Sequence, residues 1–166
     1  MRVEVDMSLL RKIRETGRVA EPAPPRPTAV PPPAARELAG SAQVRCVDAG
    51  SCNGCEIEIA GAFGPVYDAE RYGARLVASP RHADVLLVTG PVTRNMAVPL
   101  KSTLAAMAEP RLVVAVGDCA VGCGEFAGGY GVQGAVGDVV PVDLEVPGCP
   151  PTPDQIVAAL RTVTGR

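Results

Sequence analysis

Two kinds of apolar pattern alternate along the second half of the chain. Residues 84–89 (DVLLVT) and 111–116 (RLVVAV) are continuous apolar runs of strand length, the pattern expected of strands covered on both faces of a sheet. Between them, Leu100, Leu104 and Met107 recur at i, i+4 and i+7 within residues 95–109, which makes one face of a helix apolar. Pro99 is tolerated in the first turn of such a helix and Pro110 stops it. Strand, helix and strand form a β-α-β unit, whose crossover should be right-handed. Upstream, residues 43–47 predict a first strand. Downstream, VVPVDLEV is strand-like, and the tail from Thr152 predicts a last helix. Thr152 is its N-cap and Pro153 its first position, with Ile156, Leu160 and Val163 on one face. The stretch after Cys55 is open: E-I-E-I alternates like a strand, yet Ala60 and Ala62 suit a helix. A mostly parallel sheet flanked by helices follows, which is an α/β architecture.

The first 40 residues follow another pattern. Met7, Leu10 and Ile13 recur at helical spacing among Arg11, Lys12 and Arg14, predicting a short amphipathic segment within residues 1–20. Seven of the twelve residues from 22 to 33 are proline, so residues 21–40 read as a semi-rigid, polyproline-like linker. The α/β domain is then residues 41–166.

Composition narrows the function. The 166 residues are 47% hydrophobic and 20% charged, with net charge −2 and pI about 5.4. No basic field is available to attract nucleic acid or anionic lipid. Aromatic residues make up 3%, leaving few platforms on which bases could stack. No apolar run approaches the roughly 20 residues of a membrane-spanning helix. The N-terminus lacks a continuous apolar signal-peptide core, so the cytoplasm is expected. There thiols stay reduced, and grouped cysteines bind metal or catalyse more often than they pair.

The chain has six cysteines. Cys52 and Cys55 form a C-x-x-C after the first predicted strand. Cys119 lies three residues past the 111–116 strand and Cys149 three past VVPVDLEV. All sit on loops leaving carboxyl ends of strands, where open α/β sheets build their sites. A C-x-x-C alone fits a redox disulfide, half a zinc site or half an iron–sulfur site. Zinc sites usually pair two short knuckles, whereas two of these cysteines stand singly and far apart. Cys149 is followed by proline, a recurrent iron–sulfur feature, and glycines 50, 54, 117, 122, 124 and 148 flank the cysteines. The spacing therefore favours iron–sulfur over zinc.

The segments SCNGCEIE, SPRHADVLLVTGPVT, VAVGDCA and VPGCPP resemble the small subunit of group 4, membrane-bound, formate hydrogenlyase-type nickel-iron hydrogenases. That subunit is similar to the 20 kDa subunit of complex I, the NADH-quinone oxidoreductase. The resemblance covers residues 42–160. It implies a flavodoxin-like, three-layer fold with one 4Fe-4S cluster at the strand carboxyl edge, held by Cys52, Cys55, Cys119 and Cys149. It further implies an electron-transfer subunit of an oxidoreductase complex, with no bond chemistry of its own. The implied partners are a hydrogenase-like large subunit, a ferredoxin-like iron–sulfur subunit and, indirectly, membrane subunits at the inner face of the cell membrane. Complex I relatives begin the ligand set with adjacent cysteines, so C-x-x-C points to the hydrogenase side.

The chain departs from the pattern where Cys123 replaces the first of two paired glycines, making it a rival of Cys119, which matches position for position. Glu145 stands where an aromatic residue is usual, and Thr152 where an arginine is. Cys46 and Cys123 together are too few for a second cluster. Cys46, inside a strand, reads as a small buried hydrophobe. His82 reads as structural, and Arg81 is a candidate for positive charge near the site. Glu56 and Glu58 suit a first helical turn or a proton route. Asp48 and Asp118 suit turns and caps. Residues 122–137 lack a phosphate-binding signature and read as a loop over the site or a partner. Two other readings stay open: a complex I-like subunit without nickel-iron chemistry, and a zinc-stabilised or thiol-redox protein.

Overall fold

The structure, a computed structural model, describes residues 7–17, 25, 30–38 and 40–166. Five strands form one wholly parallel sheet: β1 (Ala42–Asp48), β2 (Ala74–Leu76), β3 (Val85–Thr89), β5 (Leu112–Val116) and β7 (Leu144–Val146). Their order is β2-β1-β3-β5-β7, the doubly wound 2-1-3-4-5 arrangement of flavodoxin-like sheets. A separate antiparallel pair joins β4 (Val92–Thr93) to β6 (Val132–Gly134). The helices are α1 (Met7–Thr16), α2 (Gly54–Ala62), α3 (Ala97–Ala106), α4 (Asp118–Gly122) and α5 (Pro153–Thr164).

Every residue of β3 and β5 is buried, which is why their sequences do not alternate. Successive side chains point to opposite faces, so each strand feeds two cores. Val85, Leu87, Leu112 and Val114 pack with Ile59 of α2 and with Ile156 and Leu160 of α5. Leu86, Val88 and Val113 pack with Leu100 of α3 and Ala120 of α4. At about 25 cal/mol per Å² of apolar surface, these two layers hold the sheet's carboxyl edge in place.

The stretch left open by its sequence is helical. Cys55, Ile59 and Ala62 are its buried positions, at i, i+4 and i+7, while Ile57 is 63% exposed. Strand β2 escaped notice because it is three residues long and mostly exposed. The helix expected over 95–109 is confined to Ala97–Ala106. A 3-10 helix at Pro33–Leu38 buries Ala35 in the same core as α5, so the end of the proline-rich stretch is part of the packed unit. Most of residues 21–29 lie outside the described residues.

Candidate metal centre

The cysteine loops emerge where the sheet's backbone ladder runs out, and carboxylates take up the freed amides. After β1, Asp48 Oδ1 accepts from the N–H groups of Gly50 at 2.8 Å and Ser51 at 2.7 Å. Ser51 Oγ accepts from the Asn53 N–H at 3.0 Å and donates to Glu56 Oε2 at 2.7 Å. Thr89, at the end of β3, donates its hydroxyl to the other oxygen of Glu56. Asn53 then turns the chain through φ 73 into α2, a left-handed conformation that Asn tolerates. This network leaves Cys52 exposed and Cys55 buried in the first turn of the helix.

After β5, Gly117 adopts φ +93, and a Cβ on it would lie 2.5 Å from the Cys55 sulfur. Asp118 donates its N–H to the Gly148 carbonyl at 2.9 Å, and its Oδ1 accepts the Gly148 N–H at 2.7 Å. Cys119 follows in α4. After β7, Gly148 adopts φ +134, where a Cβ would meet Pro151 Cα at 2.7 Å. Cys149 follows and is exposed. Both aspartates thus organise turns, as expected of them.

Cys52, Cys55, Cys119 and Cys149 line one cavity, together with Gly54, Gly90 and Pro150. Burial pushes the Cys55 thiol up to about 12, and Glu56 and the three other thiols push the same way. Burial also raises Cys119, followed by Cys149, Cys52, Asp118 and Cys123. No cation offsets these effects in either case. The raised Cys55 and Cys119 thiols favour holding their protons unless a positive centre sits beside them, which is the donor chemistry of a thiolate-bound metal group. Side chains at Gly90, Gly117 and Gly148 would collide with the cysteine loops themselves, so these glycines let the loops close around the cavity. Among the described residues no three His, Cys, Asp or Glu side chains converge closely enough to hold a single metal ion.

Cys123 is a turn beyond Cys119, 8% exposed, and it is not among the residues lining the cavity. It adopts φ 64, the left-handed conformation that glycine takes without cost. Cys46, half-buried in β1, is raised to about 11 chiefly by burial. Arg81 and His82 precede β3 in a 3-10 helix and are exposed. That is the amino edge of a parallel sheet, opposite the cysteine loops, so Arg81 supplies no charge to the site. The reading from residues alone missed Ser51 and Thr89 as the partners of Glu56. Their signal was a lone hydroxyl ending each element: a Thr closing an apolar strand, and a Ser one residue before Cys52.

Comparison with known proteins bears on the same region. The family described as NADH ubiquinone oxidoreductase, 20 Kd subunit, matches residues 52–163, a span that includes all four cavity cysteines. Formate hydrogenlyase subunit 7 of Escherichia coli (strain K12) is 47% identical over 118 residues, covering 71% of this chain and 46% of that protein. A probable membrane-bound hydrogenase subunit of Pyrococcus furiosus is 48% identical over 111 residues, covering 67% of this chain and 66% of that protein. The chain thus spans between about half and two thirds of the length of these two relatives. Among solved structures, a chain of the membrane-bound sulfane sulfur reductase, an archaeal respiratory membrane complex, superposes with a TM-score of 0.68 at 26% identity. That superposition covers 79% of this chain and 72% of the other.

Proposed function

The chain belongs to the family of the 20 Kd subunit of NADH ubiquinone oxidoreductase, and on that premise we propose that it is an electron-transfer subunit of a multisubunit hydrogenase-type complex. In this reading Cys52, Cys55, Cys119 and Cys149 hold one 4Fe-4S cluster. The observation that carries it is the meeting of those four thiols around one cavity, from loops after three different strands. Such a cluster, when bound, supplies one-electron chemistry at a potential set by burial, nearby charge and hydrogen bonds to sulfur.

The chain's own residues do the rest. Gly90 and Gly117 let backbone and thiols approach closely. The Asp48, Ser51, Glu56 and Thr89 network holds the C-x-x-C loop against β1 and β3. Glu56 and Asp118 add negative charge beside the thiols, which favours the oxidised state of whatever they hold. Zinc sites usually pair two short knuckles, whereas Cys119 and Cys149 stand singly on separate loops after β5 and β7, which supports an iron–sulfur core instead.

No group on this chain performs bond chemistry in this reading; a large catalytic subunit does, with ferredoxin-like subunits as the other electron partner. Among the described residues no helix is long and apolar enough to cross a membrane. Attachment to the inner membrane face is therefore assigned to partner subunits. The likeness to a sulfane sulfur reductase complex favours a second reading, in which the complex performs no hydrogen chemistry. The two separate on whether the neighbouring large subunit carries two C-x-x-C pairs for nickel-iron.

Anaerobic purification with iron and acid-labile sulfide analysis, and EPR of the dithionite-reduced protein, test the core of the reading. The expected result is a brown protein with about four iron and four sulfide per chain. A colourless protein carrying zinc would overturn it.

A further inference from the structure

Two of the cavity thiols have no local means of finding each other. Cys119 follows β5 and Cys149 follows β7, and the β5–β7 ladder ends at Val116↔Val146. Beyond it, the Gly117 N–H still reaches the Val146 carbonyl at 2.8 Å. The next contact is a closed pair. Asp118 donates its N–H to the Gly148 carbonyl at 2.9 Å and accepts the Gly148 N–H on Oδ1 at 2.7 Å. Among the described residues this is the one side-chain hydrogen bond between the two loops. Its partners stand immediately before Cys119 and Cys149.

We propose that Asp118 is a positioning residue: its amide and carboxylate clasp Gly148, setting the spacing of the Cys119 and Cys149 thiols toward one shared group. A hydrogen bond to an ionised acceptor is short and directional, and closing it together with the backbone bond removes both the sliding and the twisting freedom of the Cys149 loop. Gly148 is suited to its half of the clasp, because at φ +134 with Pro151 Cα 2.7 Å from a would-be Cβ no other residue presents its N–H in this orientation. The other two thiols need no such device, since Cys52 and Cys55 share one loop fixed by Asp48 and Glu56. The site is thus assembled from two halves, one held by local bonds and one by a bond across 30 residues.

The inference rests on the electron-transfer reading, and the test separates the two. The full chain and its Asp118→Asn and Asp118→Ala variants are purified anaerobically. Asn keeps a carbonyl oxygen to accept the Gly148 N–H and loses only the charge; Ala loses the acceptor. Iron and sulfide content, the rate of iron loss to EDTA and the reduced-state EPR line shape are compared. Amide exchange at Gly148 is followed in the metal-free chains. In Asp118→Ala, iron loss and Gly148 exchange are expected about tenfold faster, the factor that a lost charge-assisted bond implies, with a broadened EPR signal. Asp118→Asn should restore loading, line shape and Gly148 protection. If the unaltered chain holds no iron and sulfide, the electron-transfer reading falls and this inference with it. If that chain is loaded and Asp118→Ala matches it, only the inference falls. Should Asp118→Ala fail to fold, Asp118→Asn still decides: a loss of loading or of Gly148 protection in that variant overturns a role based on the acceptor.

Discussion

Gly117 and Cys55 approach so closely that a Cβ on the glycine would lie 2.5 Å from the thiol sulfur. Gly117 follows β5 and Cys55 lies in the first turn of α2, so the missing side chain of one is the space occupied by the other. Gly117→Ala would meet this overlap at φ +93, where alanine is also strained. Overpacking and backbone strain together should lower the unfolding free energy by about 2–4 kcal/mol. Urea titration of the metal-free chain measures this, and an unchanged midpoint would show that the loop moves aside freely.

Cys123 and Cys119 make opposite predictions although both are cysteines in one short segment. Cys123→Gly removes a left-handed non-glycine residue, at φ 64, and should change stability by no more than about 1 kcal/mol, strain relief offsetting lost packing. Its iron and sulfide content should equal that of the unaltered chain. Cys119→Ala should lose the group. Retention in Cys119→Ala together with loss in Cys123→Gly would exchange their roles.

Thr89 is 1% exposed and donates to Glu56. Thr89→Val keeps the shape and removes the donor, leaving Glu56 to Ser51 alone. A cost of about 1–2 kcal/mol is expected, read from the urea midpoint, with Cys52 becoming more quickly alkylated in the metal-free chain as its loop loosens. Equal stability in Thr89→Val would mean that water replaces the hydroxyl without cost.

Cys46 makes the fold sensitive to alkali. Burial raises its thiol from 9.0 to about 11, so the folded chain keeps this proton over a range in which the unfolded chain has released it. The neutral thiol's contribution is complete below pH 9 and is lost as pH rises through 11, a fall of roughly 3 kcal/mol. Unfolding of the metal-free chain between about pH 8 and 11, compared with Cys46→Ala, isolates this contribution. The variant should show a shallower decline, and parallel curves would rule out Cys46 as the source.

Much of the scaffold was legible in the amino-acid sequence because the responsible forces act locally or through simple burial. DVLLVT and RLVVAV can be continuous apolar runs only if both faces are covered, and β3 and β5 are. Thr152 and Pro153 announce a helix start by satisfying or dispensing with its first amides, and α5 begins at Pro153. The C-x-x-C and the placing of Cys119 and Cys149 after strands pointed to one sheet edge for the same reason: chain direction in a parallel sheet decides which loops share an edge.

What the sequence left open was settled by contacts between distant residues. The E-I-E-I segment is a helix because Ile59 finds α5 and the sheet, a partner absent from its local pattern. Strand β2 exists because β1 offers it a ladder. That Cys119 lines the cavity and Cys123 does not came only from the packed loops, and Arg81 was placed at the far edge by the direction of β3. The clasp between Asp118 and Gly148 joins residues whose sequence neighbourhoods say nothing of each other. Local pattern determines which element a segment forms; which side chains meet depends on how those elements pack, and that free energy is spread over the whole core.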